Sequence, residues 1–185
     1  MQNTEQSKLI SLAKNGDEYA VTRLYDTHSQ GIFRFLFYRT GDRFLAEDLT
    51  SEVFIQMIRS LPKFKEGAGS FTSWLYTIAR HQSIDHYRKV KMKIEQPIGE
   101  DIVSSSAGPE EMNSAMQQTG DLLSKIMELP QEHREILELR FVSQLSIQDT
   151  AETLGRTMDS VKGMQYRALE ALREKMKSWK EVNHE

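Results

Sequence analysis

The sequence predicts an all-α chain of two small helical domains joined by a flexible linker, the second a helix-turn-helix domain. Three observations predict it. Apolar residues recur mostly at helical spacing, and only four Pro and ten Gly interrupt 185 residues. Residues 92–119 lose that spacing and are acidic and rich in Ser and Gly, with Pro97 and Pro109. Ser146 to Lys177 reads as two helices around a Gly-containing turn. The expected parts are therefore a first domain over 1–91, a linker over 92–119 and a second domain over 120–182.

Taken in order, Glu5 to Lys14 forms a short amphipathic helix through Leu9, Ile10, Leu12 and Ala13. Asn15-Gly16-Asp17 ends it and caps the next. The second helix runs from Asp17 to about Thr40, and Leu24, Ile32, Phe33, Phe35, Leu36 and Phe37 give it the weight of a core. Gly41-Asp42 breaks the chain. A third helix, Phe44 to Ser60, turns Leu49, Val53, Met57 and either Ile55 or Gln56 inward. Asp48 and Glu52, four apart, share one face beside an exposed Phe54 or Ile55. That face is either a solvated surface or a dock for a basic partner. Pro62 closes the helix, a basic Gly-containing loop follows, and Ser70 or Thr72 caps a fourth helix over Phe71 to Lys91. Trp74, Leu75, Ile78, Ala79, Ile84 and Tyr87 supply its apolar surface; His81, Asp85 and Arg88 share another face with Lys89 beside them.

Beyond the linker, Asp121 to Glu128 forms a helix, and Pro130 opens the next at its first position, where a missing amide costs nothing. Ile136, Leu137, Leu139, Phe141 and Val142 form its buried stripe. In the helix-turn-helix, Ile147, Ala151 and Leu154 pattern the first helix, and Gly155 stands where a helix end favours positive φ. Thr157 or Asp159 caps the second helix. Val161, Ala168 and Leu172 face inward there and leave Lys162, Arg167 and Arg173 outside. An ordinary helical hairpin has the same pattern, so this stretch alone leaves duplex binding open beside a plain structural role.

Composition narrows the function. With no Cys there is no disulfide framework, thiolate metal site or thiol nucleophile. No apolar run reaches about 18 residues, so no transmembrane helix is expected, and MQNTEQSKLI lacks the form of a secretory signal. A cytoplasmic protein without membrane insertion is the expectation. The net charge of −3 argues at first against nucleic acid, but the charge is segregated. Lys63 to Lys93 holds seven basic and two acidic residues, and Arg156 to Lys180 seven basic and three acidic. Glu95 to Glu135 holds two basic and nine acidic. His81 with Asp85 offers only two ligands at helical spacing, so no metal is expected. His28, His81, Asp85 and His86 are not organised by any enzyme motif, so no catalytic residue and no cofactor are expected. Aromatics and a basic tail on the fourth helix suit single-stranded nucleic acid, with rings for bases and cations for phosphates.

In series, three stretches resemble the bacterial extracytoplasmic-function RNA polymerase sigma factors, a two-domain class of the sigma-70 family. AEDLTSEVFIQMIRSLPKF, from Ala46, resembles their polymerase-clamp helix. FTSWLYTIARHQSIDHYRK, from Phe71, resembles their −10 helix. LPQEHREILELRF and LSIQDTAETLGRTMDSVKGMQYRALEALRE, from Leu129 to Glu174, resemble their −35 domain. The resemblance implies a sigma factor that directs core RNA polymerase to promoters and assists −10 melting. Its partners would be the clamp of the largest subunit, the flap of the second-largest subunit, promoter DNA and an anti-sigma factor. By the same resemblance, Asp48, Glu52, Phe54 and Gln56 would meet the clamp. Phe64, Trp74, His81, Asp85, Arg88 and Lys89 would handle the −10 strand. Arg156, Thr157, Ser160, Lys162, Met164, Gln165 and Arg167 would face the −35 duplex. SVKGMQYRA stands where the family usually reads like TVKSRLSRA, and Gln165 there is expected to be able to read an adenine edge. A stand-alone dimeric helix-turn-helix regulator is the alternative; it should bind a palindromic duplex unaided.

Overall fold

The structure is a computed structural model, and its described residues are 2–94 and 125–183. All regular structure among them is helical: α1 Gln2–Lys14, α2 Glu18–Thr40, α3 Arg43–Ser60, a short 3₁₀ turn Leu61–Lys63, α4 Phe71–Ile94, α5 Gln131–Leu137, a π-helical turn Glu138–Val142, α6 Ile147–Leu154 and α7 Met158–Asn183. Residues 125–127 are also helical. The expected linker lies almost wholly outside the described residues. Two compact units result, one holding α1 to α4 together with Glu152–Gly155, the other the rest of the described chain.

Helix starts follow their caps. The Asp17 carboxylate accepts from the Ala20 amide at 2.7 Å and starts α2. Asp42 accepts from Leu45 at 3.1 Å and starts α3 at Arg43, one residue earlier than expected. Ser70 accepts from the Ser73 amide at 2.9 Å at the head of α4. The first core joins Leu24, Ile32, Phe35 and Leu36 of α2 to Val53 and Met57 of α3, with Leu61 and Leu75 alongside, all at most 1 % exposed. Burying each such side chain contributes roughly 1.5–3 kcal/mol. Gly31 is what lets α4 close on α2: a Cβ there would stand 2.8 Å from the Tyr76 hydroxyl. Tyr76 in turn meets Phe35 edge-on at 5.5 Å.

In the second unit Leu129, Leu137 and Ala168 pack together, with Ile126, Ala171 and Leu172 against them. Pro130 caps α5 instead of occupying its first turn. The stripe expected to continue through Phe141 does not. The Ser143 amide bonds back to the Glu138 carbonyl at 2.9 Å, so the chain winds one residue wider per turn. Leu139 stays buried, and Phe141 rotates out to 53 % exposure.

Candidate nucleic-acid and polymerase interfaces

On α3, Leu49, Val53, Phe54 and Met57 are buried, and Asp48, Glu52, Ile55 and Gln56 are exposed. Phe54 is thus a correction: it is 5 % exposed and packs on Tyr25 of α2 at 4.7 Å between ring centroids. Its ring belongs to the core, and Ile55 takes the surface place. The expectation that Ile55 or Gln56 joins the inner stripe fails for the same reason. Asp48, Glu52 and Ile55 form an acidic face with an apolar centre, while Arg43 pairs with Glu47 at 2.9 Å nearer the helix start.

Ahead of α4, Phe64 is also corrected. It is 8 % exposed and wedged between Trp74 at 4.8 Å and Phe71 at 5.8 Å. Lys14 of α1 donates to its carbonyl at 2.6 Å and lies 5.5 Å from its ring centroid. Trp74 is half-buried in the same cluster. Phe64 is committed to packing and Trp74 keeps part of its ring exposed; Lys65, Glu66, Gly67 and Ala68 form the exposed rim of the loop. Farther along α4, His81, Asp85, Arg88 and Lys89 are all exposed, and Arg88 pairs loosely with Asp85 at 3.9 Å. Met92 continues that face at 65 % exposure. No group of three or more His, Cys, Asp or Glu among the described residues is placed to hold a metal.

The helix-turn-helix is built by local chemistry. Ser146 accepts from the Asp149 amide at 2.9 Å and starts α6. Gly155 takes φ +62° after its last residue. Thr157 accepts from the Ser160 amide at 3.2 Å and starts α7. Val161, Met164 and Ala168 are buried along α7. Met164 is therefore a correction: at 4 % exposure it fills the core, and its sulfur lies 3.8 Å from the Ser160 hydroxyl. Gln165 is engaged within the protein. It sits half-buried on the helix flank, and its side-chain oxygen accepts from Arg140 Nε at 2.9 Å. Arg156, Thr157, Lys162 and Arg167 are exposed and Ser160 is half-buried. Lys162 pairs with Asp159 at 3.1 Å, and Arg156 with Glu132 at 2.8 Å. These are surface pairs, weak enough to be exchanged for phosphates.

Tyr166 was not among the residues expected at this face, yet it is 68 % exposed, one helical turn from Lys162. The signal was available. In helical register from buried Val161 and Ala168, position 166 points opposite the core.

Two family models match the chain, Sigma-70 region 2 over residues 24–92 and Sigma-70, region 4 over 119–172. The ECF RNA polymerase sigma factor SigX of Bacillus subtilis is 33 % identical over 85 % of this chain and 84 % of its own length. The chain belongs to the ECF sigma factors. BldN of Streptomyces coelicolor is 34 % identical over 89 % of this sigma factor, which spans 63 % of BldN's length. Among solved structures, CnrH, in complex with the cytosolic domain of CnrY, shares the fold with a TM-score of 0.71 at 19 % identity, over 92 % of this chain and 96 % of that one. RpoE of Bartonella quintana, in complex with the anti-sigma factor NepR, does so at 0.67 and 23 %, over 84 % and 96 %. This sigma factor therefore belongs to the proteins that direct RNA polymerase to promoters, and no helix among its described residues is long and apolar enough to cross a membrane.

Proposed function

We propose that this sigma factor works in the cytoplasm, without catalysis of its own, by dividing promoter recognition between its two units. The outer face of α7 enters the major groove of the −35 element. Lys162 and Arg156 meet phosphates there, which position the protein, while Arg167 and Tyr166 reach base edges, which specify the sequence. The rim of loop 64–70 and the His81–Lys89 face of α4 take the unpaired −10 strand. Asp48, Glu52 and Ile55 dock on the clamp of the largest polymerase subunit, and the second unit meets the flap of the second-largest. An anti-sigma protein is the expected regulator, as in the complex of RpoE with the anti-sigma factor NepR.

The observation that carries this reading is the two-sidedness of α7: Val161, Met164 and Ala168 are buried, and Lys162, Tyr166 and Arg167 are exposed, at the start of the helix behind the Gly155 turn. The overall charge of −3 fits a subunit that binds free duplex poorly and needs the polymerase. Run-off transcription with core enzyme on a genomic promoter library tests it. Start sites sharing a −35 and a −10 element are expected. Tight binding to a palindromic duplex without polymerase would instead favour a stand-alone dimeric regulator.

A further inference from the structure

Three parts of the second unit meet at one side chain. Arg140, in the π-helical turn, donates from Nε to the Gln165 side-chain oxygen at 2.9 Å and from Nη1 to the Leu145 carbonyl. Leu145 lies in the connection leading into α6, beside Gln144, which is held left-handed at φ 56°. Gln165 lies on α7, directly before Tyr166. A single half-buried guanidinium thus ties the π-helical turn, the entry to α6 and the flank of α7. Guanidinium carries only donors in a rigid planar fork, so the amide oxygen is the bonded atom and its direction is fixed.

The apolar contacts of α7 do not fix rotation equally well. Met164 is flexible and Ala168 is small, so these two contacts leave more play about the helix axis than buried Val161 does. A directional bond on the flank limits that play.

We propose that Arg140 is a positioning residue for promoter reading. By holding Gln165 it sets the rotation of α7, and so the angle at which Lys162, Tyr166 and Arg167 meet the groove. This rests on the reading of α7 as the −35 helix. Neither Arg140 nor Gln165 touches DNA in this scheme.

The test uses the full chain with core polymerase. The probes are duplexes that the wild-type holoenzyme enriches from a library randomised at −35, and the same duplexes with that element scrambled. Gln165→Ala and Arg140→Met should each lower discrimination between the two about tenfold, the size of one hydrogen bond to a charged donor. The double variant should be no worse than either single one. Gln165→Glu should keep discrimination, because a carboxylate accepts from the same Nε. The salt dependence of binding should not change. A slope lower by about one in Arg140→Met would make Arg140 a phosphate ligand and overturn the proposal. Additive losses, or a Gln165→Ala protein that discriminates like wild type, would overturn it too. If the wild-type holoenzyme enriches no −35 sequence, the reading of α7 fails and takes the proposal with it; if enrichment succeeds and Gln165→Ala is silent, only the proposal fails.

Discussion

Tyr25 of α2 and Phe54 of α3 meet with ring centroids 4.7 Å apart and planes tilted by 60°. The contact goes with the rotation of α3: with Phe54 turned in beside Val53 and Met57, Ile55 is turned out.

The two neighbours should therefore part company on substitution. Phe54→Ala should destabilise the first unit by about 3 kcal/mol or more, the range for emptying a buried aromatic site. Ile55→Ala should change stability by only about 0.5 kcal/mol while weakening competition for core polymerase, as should Asp48→Ala with Glu52→Ala. Thermal melts and a competition assay separate the effects; a stable Phe54→Ala protein would contradict the packing.

On α7, Lys162→Ala and Arg167→Ala should weaken promoter binding about tenfold each and leave affinity for core polymerase alone. Tyr166→Ala should relax base preference. Equal loss of core binding in the first two would break the division of labour between the units.

Gly163 lies inside α7 with φ in the ordinary range, and a Cβ there would meet only Arg167 Nη1, at 3.5 Å, an ordinary contact. Gly163→Ala should raise stability by about 0.5–1 kcal/mol, the helix-propensity gain. Loss of promoter binding in that stabilised protein would show that the missing side chain admits the DNA backbone. Gly155→Ala should do the reverse. Space is open around it, but φ +62° strains an L-residue by about 1–2 kcal/mol. Gly155→Asn should lose less than Gly155→Ala.

His28 is half-buried against Phe71 at 5.3 Å, and its Nε2 lies 3.2 Å from the Gln6 amide nitrogen. An amide nitrogen only donates, so the ring nitrogen accepts and is unprotonated. Burial holds the His28 pKa below the ordinary 6.5. The unfolded chain therefore takes up this proton first as pH falls. The stability His28 contributes is full above about pH 6.5 and declines as pH drops toward the lower folded value. The thermal midpoint of the wild type should fall more steeply over that range than that of His28→Gln. Parallel curves would remove His28 from the pH response.

Much of this architecture is legible in the sequence because its signals are local. Asp17, Ser70, Gly155 and Thr157 each act on a neighbouring turn, and the structure uses each as its chemistry suggests. What fails depends on packing partners outside the helix concerned or on a local break in its spacing. Phe54 and Ile55 are adjacent and equally apolar, and the packing of Leu49, Val53 and Met57, with Tyr25 over the Phe54 ring, decides between them. Phe64 looks like a free stacking ring until Phe71, Trp74 and Lys14 close on it. The π-helical turn at Glu138–Val142 breaks the spacing by one residue, which turns Phe141 outward. Met164 belongs to the buried stripe with Val161 and Ala168, and Gln165 stands on its flank; Arg140 supplies the tie that no helical period reveals.

The bond from Lys14 to the Phe64 carbonyl gives the N-terminal helix a task at a distance from its own residues. A chain trimmed to begin after Lys14 would lose the ammonium that steadies the lip of the loop, along with the buried Ile10 and Ala13 side chains. Shortened versions made for binding studies should keep these opening turns, since their removal would loosen loop 64–70 without changing any residue of the loop itself.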